Sequence, residues 1–511
     1  MATAAPCLMI QGTASGVGKS LLTTALCRLF ARAGYRVAPF KAQNMALNAA
    51  VTSDGAEIGR AQAAQAEAAG VEPTADMNPI LLKPEGDDRS QLVVRGVAQG
   101  SVTFREYRER QPALFPIVAE SLERVRAGFD LVLIEGAGSP AEINLRDADL
   151  VNMAIARLAD APVILVGDID RGGVFAALVG TLALLDQADR ARVRGVVINK
   201  FRGDPTILTP GIDELAAMTG VPVLGVLPYF HDRLVPAEDS LDLDDRARPG
   251  SALIDIAVVR LPRISNFDDF EPLAAEPGVA IRFVTMARDL AGADLVIVPG
   301  SKTTAADLQW LIDSGLAAAI QRMAAERTPV LGICGGFQML GRTLLDPEHV
   351  ESPIARMDGL GLLPVVTTFA GRKTTRRVRA YIDDAAPPLL AAAAGGQTNG
   401  YEIHAGVTDV AGAAQPFRIV ARGGAACDDA DGAVSADGTV LGTYIHGLFE
   451  DAAVRRAVLT HLAMRRGVAP DPRWGRGDRA SQRYDRLADL VVAHLDVPGI
   501  AKLAGLDSPR G

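Results

Sequence analysis

One glycine-rich segment near the start of the chain has the residue types of a nucleotide-binding loop. The segment GTASGVGKS, residues 12–20, follows the apolar run CLMIQ and precedes the helical pattern LLTTALCRLFARAG. In a phosphate loop, backbone N–H groups and the helix N-terminus bind phosphate oxygens, a lysine reaches the terminal phosphates and a hydroxyl binds Mg²⁺. The segment therefore predicts an ATP site, and its predicted nucleotide-binding residues are Gly12, Thr13, Gly16, Gly18, Lys19 and Ser20.

Threonine stands at position 13, where the consensus loop has its first glycine, so the loop is a variant. Magnesium prefers hard oxygen ligands, and we predict that Ser20, Asp54 and Glu135 supply them. Glu135 ends the apolar run VLIE, which places it at the nucleotide edge of a parallel sheet. Asp168 ends another strand-like run, and there a helix N-cap role is an equal alternative. Asn199, after VRGVVI, is predicted to contact the adenine edge.

A second segment, GICGGFQ over residues 332–338, has the pattern of a cysteine nucleophile. It follows the apolar run PVL and opens a helix, so Cys334 is predicted to lie on a sharp strand-to-helix turn. Small glycine neighbours permit the strained backbone, and the helix N-terminus stabilises a thiolate and offers N–H groups to an oxyanion. We predict Gly335 and Gly300, the latter in the turn after DLVIV, as the oxyanion donors.

A thiolate nucleophile needs a base that later protonates the departing ammonia, and histidine titrates in the required range. His446 ends the run TVLGTYI, and His404 lies in NGYEIHAG. Both follow short β-like runs, so the residues alone leave the choice between the two histidines open.

Alternating elements are expected to position these groups. Between residues 6 and 229, apolar strand-like runs alternate with helical stretches, which is typical of a parallel sheet covered by helices. The pattern stops in the acidic, turn-rich stretch PAEDSLDLDDRARPG and restarts with IDIAVVRLP. We therefore predict an α/β synthetase domain over residues 1–235, a linker over 236–250, a second α/β domain over 251–451 and a helical tail over 452–511.

Composition limits the class of protein further. The chain has 511 residues, of which 49% are hydrophobic, and no apolar stretch approaches the roughly 20 residues of a membrane span. Its net charge of −9 disfavours a nucleic-acid partner. Four scattered cysteines without a CxxC pair argue against disulfides and a zinc site, which favours a cytoplasmic location.

Taken together, the segments GTASGVGKS, PFKAQNMALN, IEGAGSPAEINL, DIDRGGVFA, NKFRGD, PGSKTT, GICGGFQ, NGYEIHAG and GTYIHGLF resemble the cobyric acid synthase family. The resemblance runs in order from about residue 7 to 450. It implies a dethiobiotin-synthetase-like ATP domain joined to a class I glutamine amidotransferase domain. It also implies amidation of the b, d, e and g carboxylates of adenosylcobyrinic acid a,c-diamide, a corrinoid, with ATP, Mg²⁺ and glutamine.

Carried over residue by residue, the resemblance places the nucleophile at Cys334 and the catalytic histidine at His446 rather than His404. The commoner class I amidotransferases have a glutamate two residues after this histidine, where this chain has Leu448. The group that orients His446 is therefore left open. The resemblance also implies that Lys41, Gln43 and Asn44 face the carboxylate substrate.

Two alternatives share part of the pattern. A cobyrinic acid a,c-diamide synthase has both domains and amidates the other two arms, but PFKAQNMALN resembles the first family. A partitioning-type P-loop ATPase shares the variant loop, but typically carries a second lysine near the loop's start and has no cysteine domain.

Overall fold

The computed structural model describes residues 4–230, 252–384, 386–476 and 480–506, and for residues 147, 148 and 372 only the backbone. The predicted linker over 236–250 lies outside these residues. Within the described ranges, no helix combines the length and apolar composition that crossing a membrane requires.

The first half of the chain alternates strands and helices, as predicted. Its elements are β1 (Cys7–Gly12), α1 (Lys19–Arg32), β2 (Val37–Phe40), β3 (Gln43–Met45), β4 (Ala49–Val51), β5 (Glu57–Gly59), α2 (Arg60–Ala68), β6 (Ile80–Pro84), β7 (Arg89–Val94), β8 (Val97–Thr103), α3 (Phe104–Gly128), β9 (Leu131–Glu135), α4 (Met153–Ala159), β10 (Val163–Asp168), α5 (Val174–Leu184), α6 (Gln187–Arg192), β11 (Val193–Phe201), α7 (Thr209–Thr219) and β12 (Val223–Pro228).

Six of these strands form a parallel sheet in the order β12-β11-β10-β1-β9-β2. Its central strands are fully buried because helices cover both faces, which explains their continuous apolar runs. The carboxyl ends of β1, β9, β10 and β11 meet at one edge of the sheet, and this arrangement brings Gly12, Glu135, Asp168 and Asn199 to that edge.

The second half continues with β13 (Ile254–Val259), β14 (Ile264–Ser265), a 3₁₀ turn (Phe267–Phe270), α8 (Glu271–Ala274), β15 (Val279–Val284), β16 (Leu295–Val298), β17 (Gly300–Ser301), α9 (Thr304–Asp313), α10 (Leu316–Ala325), β18 (Val330–Ile333), α11 (Gly335–Leu340), β19 (Thr343–Leu345), β20 (Arg356–Asp358), β21 (Val366–Ile382), β22 (Gln397–Asp409), β23 (Phe417–Arg422), β24 (Ala425–Asp431), β25 (Ala433–Val434), β26 (Val440–Thr443), α12 (Ala452–Arg466), α13 (Ala480–His494) and α14 (Val497–Leu503).

Here the central sheet has the order β15-β13-β16-β18-β26-β25, and all its pairs are parallel except β25 with β26. A second sheet is built around the long antiparallel pair of β21 and β22. The two α/β halves confirm the predicted fold class.

The predicted helical tail divides between the two halves. Helix α12 packs on the core of the second half, where Val458 and Leu462 are buried. In contrast, α13 and α14 pack on the first half, and their Leu487, Val491 and Ile500 share one apolar cluster with β1 and α1. The segment after residue 480 thus completes the first domain.

Candidate active sites

The phosphate loop joins β1 to α1 as the sequence predicts. Gly16 and Gly18 have φ angles of 71° and 100°, in the left-handed region that favours glycine. A Cβ at Gly18 would overlap the side-chain amide of Asn199, which donates a 2.8 Å hydrogen bond to the carbonyl of Val17. The side chain of Asn199 therefore stabilises the loop by binding the backbone of Val17. This contact differs from the predicted contact with adenine. At position 13 the backbone N–H donates to Val166 in the neighbouring strand.

Lys19 lies over the loop that precedes it. Its Nζ donates to the carbonyls of Ala14 at 2.9 Å and Gly138 at 3.1 Å. Gly138 belongs to the segment after β9, so the amine lies between the loop and the strand that carries Glu135. This position matches the predicted role of the lysine at the terminal phosphates.

Glu135 is the centre of a buried polar cluster at the end of β9. Its Oε1 accepts hydrogen bonds from Ser20 Oγ at 2.9 Å and Lys41 Nζ at 2.8 Å, and its Oε2 accepts from Gln65 Nε2 at 2.6 Å. Only 1% of Glu135 is exposed. The structure therefore brings together Ser20 and Glu135, a hydroxyl and a carboxylate that fit Mg²⁺ when phosphate and water oxygens complete the shell.

Asp54 lies elsewhere. It occupies the turn between β4 and β5, where its carboxylate accepts from Thr52 and Ala56. The adjacent Gly55 lies next to Thr375 and Arg376 of the second half. Strands β4 and β5 form a separate two-stranded sheet, so the geometry gives no support to the prediction that Asp54 binds magnesium with Ser20.

Asp168 stays at the sheet edge but does not cap the following helix. Helix α5 begins after Gly173, whereas the Asp168 carboxylate accepts a 2.8 Å hydrogen bond from Lys200 Nζ. The same amine donates to the carbonyl of Gly16. The N-cap alternative is therefore wrong, and Asp168 instead supports the phosphate loop through Lys200.

The three predicted carboxylate-binding residues have different surroundings. Lys41 contacts Glu135, as described above. Gln43 Oε1 accepts from the hydroxyl of Tyr107, and the buried Asn44 donates to Gln62 at 3.0 Å. Successive side chains of a strand point to opposite faces, so Gln43 and Asn44 do not line one surface.

Cys334 lies on the predicted strained turn between β18 and α11. Its φ of 54° and ψ of −112° are unusual for a residue with a side chain. A Cβ at Gly336 would overlap the carbonyl of Val298 in the neighbouring strand, which explains the glycine there. The Sγ lies 3.3 Å from the carbonyl oxygen of Ile403 in β22.

His446 lies beside this thiol and is held by a residue that the sequence did not reveal. Its Nδ1 lies 2.7 Å from Oδ2 of Asp269, and Asp269 Oδ1 accepts a 2.9 Å hydrogen bond from the N–H of Gly447. An ionised carboxylate only accepts, so Nδ1 carries the proton and Nε2 is left for the Cys334 thiol. The ring also stacks on Tyr401, with 5.2 Å between ring centroids.

Charge favours the imidazolium form of His446. Burial alone lowers the pKa of this histidine, but the carboxylate of Asp269 and the contact with Cys334 outweigh burial and raise it well above its usual value. A positively charged ring next to the sulfur in turn stabilises a thiolate. The two side chains are therefore arranged for nucleophilic attack and proton transfer.

His404 has a different environment. It lies within the long strand β22 and stacks on Tyr444 with 3.8 Å between ring centroids. Burial lowers its pKa to about 4, so the ring is neutral near pH 7. Because the acid partner contacts His446, the geometry favours His446 as the base.

The predicted oxyanion residues lie on both sides of the turn. Strands β16 and β18 are parallel neighbours, so the turn at Gly300 comes next to the turn at Cys334. A Cβ at Gly335 would lie 3.0 Å from the backbone nitrogen of Ser301. This close approach brings the backbone after Cys334 next to the turn at Gly300, whereas the role of these N–H groups as an oxyanion hole stays a prediction.

Asp269 is the site residue that sequence reasoning missed. It belongs to the 3₁₀ turn Phe267–Phe270 in the segment SNFDDFEPL, which has no recognisable motif. The position two residues after the histidine, Leu448, is apolar and buried. The sequence showed that no acid stands at this position, and it left open whether a backbone contact, a water or an acid from elsewhere orients His446.

A phosphate-loop domain joined to a domain with a Cys–His–Asp arrangement defines an ATP-dependent glutamine amidotransferase. The family described as CobQ/CobB/MinD/ParA nucleotide binding domain matches residues 8–239, and the CobB/CobQ-like glutamine amidotransferase domain matches residues 255–454.

Curated relatives identify the family more closely. Cobyric acid synthase of Sorangium cellulosum is 55% identical, over 98% of this chain and 99% of that protein. Cobyric acid synthase of Pelotomaculum thermopropionicum is 51% identical, over 99% and 98%. The protein of the same name from Yersinia enterocolitica is 49% identical, over 97% of each chain. The chain belongs to the cobyric acid synthase family.

Proposed function

We propose that this enzyme amidates the b, d, e and g carboxylates of adenosylcobyrinic acid a,c-diamide, with ATP and glutamine as co-substrates. The observation that carries the proposal is full-length similarity to cobyric acid synthases, joined to two intact sites in one chain. The related a,c-diamide synthase ranks second because the relatives reported above share the first name. A partitioning-type ATPase does not account for the His446–Asp269 pair.

In the second domain, Cys334 attacks the side-chain amide of glutamine. His446 protonates the departing ammonia, Asp269 holds the ring, and N–H groups at Gly335 and the Gly300 turn stabilise the oxyanion. Water then hydrolyses the glutamyl thioester. The contact between His446 and Asp269 supports this division of roles.

In the first domain, ATP phosphorylates a corrinoid carboxylate, and ammonia displaces phosphate from the acyl phosphate. Lys19 reaches the transferred phosphoryl group, and backbone N–H groups of the loop bind the other phosphates. When bound at Ser20 and Glu135, Mg²⁺ supplies further positive charge to the phosphates. Lys41, next to Glu135, faces the carboxylate substrate in this proposal.

One phosphate loop and four amidations imply that a single synthetase site serves all four arms, with the corrinoid rebinding in different orientations. Mass spectrometry of the a,c-diamide incubated with ATP and glutamine tests the proposal. We expect four successive replacements of OH by NH₂, with partly amidated products free in solution. Amidation of cobyrinic acid itself at the a and c arms would favour the second candidate.

A further inference from the structure

The turn that carries Asp269 is held from outside by residues of the first domain. Asn266 Oδ1 accepts a 3.1 Å hydrogen bond from the N–H of Ala49, and Asn48 Oδ1 accepts a 3.2 Å hydrogen bond from the N–H of Phe267. These two reciprocal bonds join residues 48 and 49, at the start of β4, to residues 266 and 267, at the start of the turn. The turn Phe267–Phe270 is therefore docked on the synthetase half.

Arg60, the first residue of α2, adds a charge to this docking. Its Nε donates to Asp268 Oδ2 at 2.6 Å, and about a fifth of its side chain is exposed. The other oxygen of Asp268 has no hydrogen-bond partner among the described residues. Arg60 is therefore the main partner of this buried carboxylate.

Asp268 and Asp269 are consecutive and both buried, at 6% exposure each. Burial raises the pKa of Asp268, as does the charge of Asp269, whereas Arg60 lowers it. Two adjacent carboxylates away from water repel each other unless a cation balances them. Loss of the guanidinium would leave Asp268 buried without its counter-ion, next to a second carboxylate. The ionisable groups around the pair, besides these carboxyls, are Arg60, Tyr401, His446, Glu450 and Tyr484.

We propose that Arg60 of the synthetase domain is a positioning residue of the glutaminase: through its ion pair with Asp268 it holds the turn that places Asp269 against His446. The inference rests on the proposed roles of Cys334 and His446. It means that the ammonia-releasing site depends on a side chain from the domain that consumes the ammonia.

Arg60→Ala in the full-length protein is the test, with glutamate release from glutamine measured, and amidation measured with glutamine and with ammonium as the nitrogen source. We expect kcat with glutamine to fall between about 10- and 100-fold. The KM for glutamine and amidation with ammonium should change little. Adding Asp268→Asn to Arg60→Ala removes the buried carboxylate that has lost its counter-ion and should restore most of the rate.

Arg28→Ala is the matched control. Arg28 pairs with Asp485 at 2.8 Å and 3.0 Å and links the first domain to α13, away from the turn. This variant should behave as wild type. The inference would be overturned if Arg60→Ala lost amidation activity equally with glutamine and with ammonium, or if it behaved as wild type. It would also be overturned if Asp268→Asn did not restore the activity lost in Arg60→Ala. A Cys334→Ala variant measured alongside separates the two failures: if it retains glutamine-dependent activity, the proposed glutaminase site itself is wrong.

Discussion

The carboxylate of Asp269 lies 2.7 Å from Nδ1 of His446, 177 positions away along the chain. Asp269 therefore provides the carboxylate for His446, because the position two residues after the histidine is occupied by Leu448, which is not an acid. It comes from a short 3₁₀ turn rather than from the strand end that carries the histidine. The catalytic arrangement therefore combines two regions of the second domain that are remote in sequence.

Replacing Asp269 by asparagine should disable the glutaminase selectively. The amide keeps the size of the side chain but removes the charge that stabilises the imidazolium of His446. By analogy with other catalytic triads, we expect glutamine-dependent turnover to fall by about 10²- to 10⁴-fold. Amidation with ammonium should continue at the wild-type rate. Unchanged glutamine turnover would mean that another group orients His446.

Cys334→Ala should remove glutamine as a nitrogen source and leave high ammonium able to restore amidation, because free ammonia reaches the acyl phosphate without the thioester. His446→Ala should give the same split result. His404→Ala serves as the matched control, since this ring is neutral and lacks a carboxylate partner among the described contacts. A split result for His404→Ala, with His446→Ala active, would reverse the assignment of the base.

Lys19→Ala should abolish amidation with either nitrogen source. The amine is the main protein counter-ion for the transferred phosphoryl group, so we expect a loss of about 10³-fold or more. Thermal unfolding should show an intact fold. Lys502→Ala, at an exposed lysine of α14, provides a control for loss of one positive charge. Normal amidation by Lys19→Ala at saturating ATP would disprove the phosphate-loop assignment.

Glu57→Gln should weaken the interface between the two domains. Glu57 is buried and binds Lys83 of β6 and, at 2.6 Å, Lys373 of β21. Burial lowers the pKa of Lys83 to about 8, with Lys373 adding to that effect. Removing the carboxylate leaves two lysines without their shared partner, which should cost about 3–5 kcal/mol in the free energy of unfolding. Urea denaturation at pH 7 measures this difference.

The loss of stability in Glu57→Gln should also depend on pH. The two lysines outweigh the effect of burial and hold the pKa of Glu57 well below its usual value of about 4.5. Its stabilisation is therefore fully present above pH 4.5 and is lost as the pH falls further, so the difference between wild type and Glu57→Gln should shrink in that direction. Glu85→Gln, which breaks a less buried pair with Lys302, should cost only about 0–1 kcal/mol. Equal losses in the two variants would contradict the argument.

Local patterns were sufficient to predict the parts of the sites that lie at strand ends. Glu135 and Cys334 each end an apolar run, and both lie where a parallel sheet brings functional side chains together. The prediction for Asp54 lacked this basis, because β4 and β5 belong to a small separate sheet. In the sequence, an acidic residue in a turn looks the same whether the turn lies at the nucleotide edge of the main sheet or in a small separate sheet.

Other features depend on contacts that no local pattern encodes. Asp269 acts through a partner far away in sequence, and Arg60 through a contact between domains. Similarly, the prediction of a helical tail over 452–511 did not indicate which half of the chain covers α13. The choice between His404 and His446 required the family resemblance, because both histidines follow β-like runs.

The packing of α13 and α14 on the first sheet has a consequence for synthesis on the ribosome. Leu8 and Ile10 of β1 share an apolar cluster with Val491 and Ile500. Domains commonly fold in the order in which they emerge. Here, however, the first domain cannot bury this face until residues beyond 480 have been translated, after the whole second domain. Until then, the surface of α1 that α13 covers stays exposed on the nascent chain.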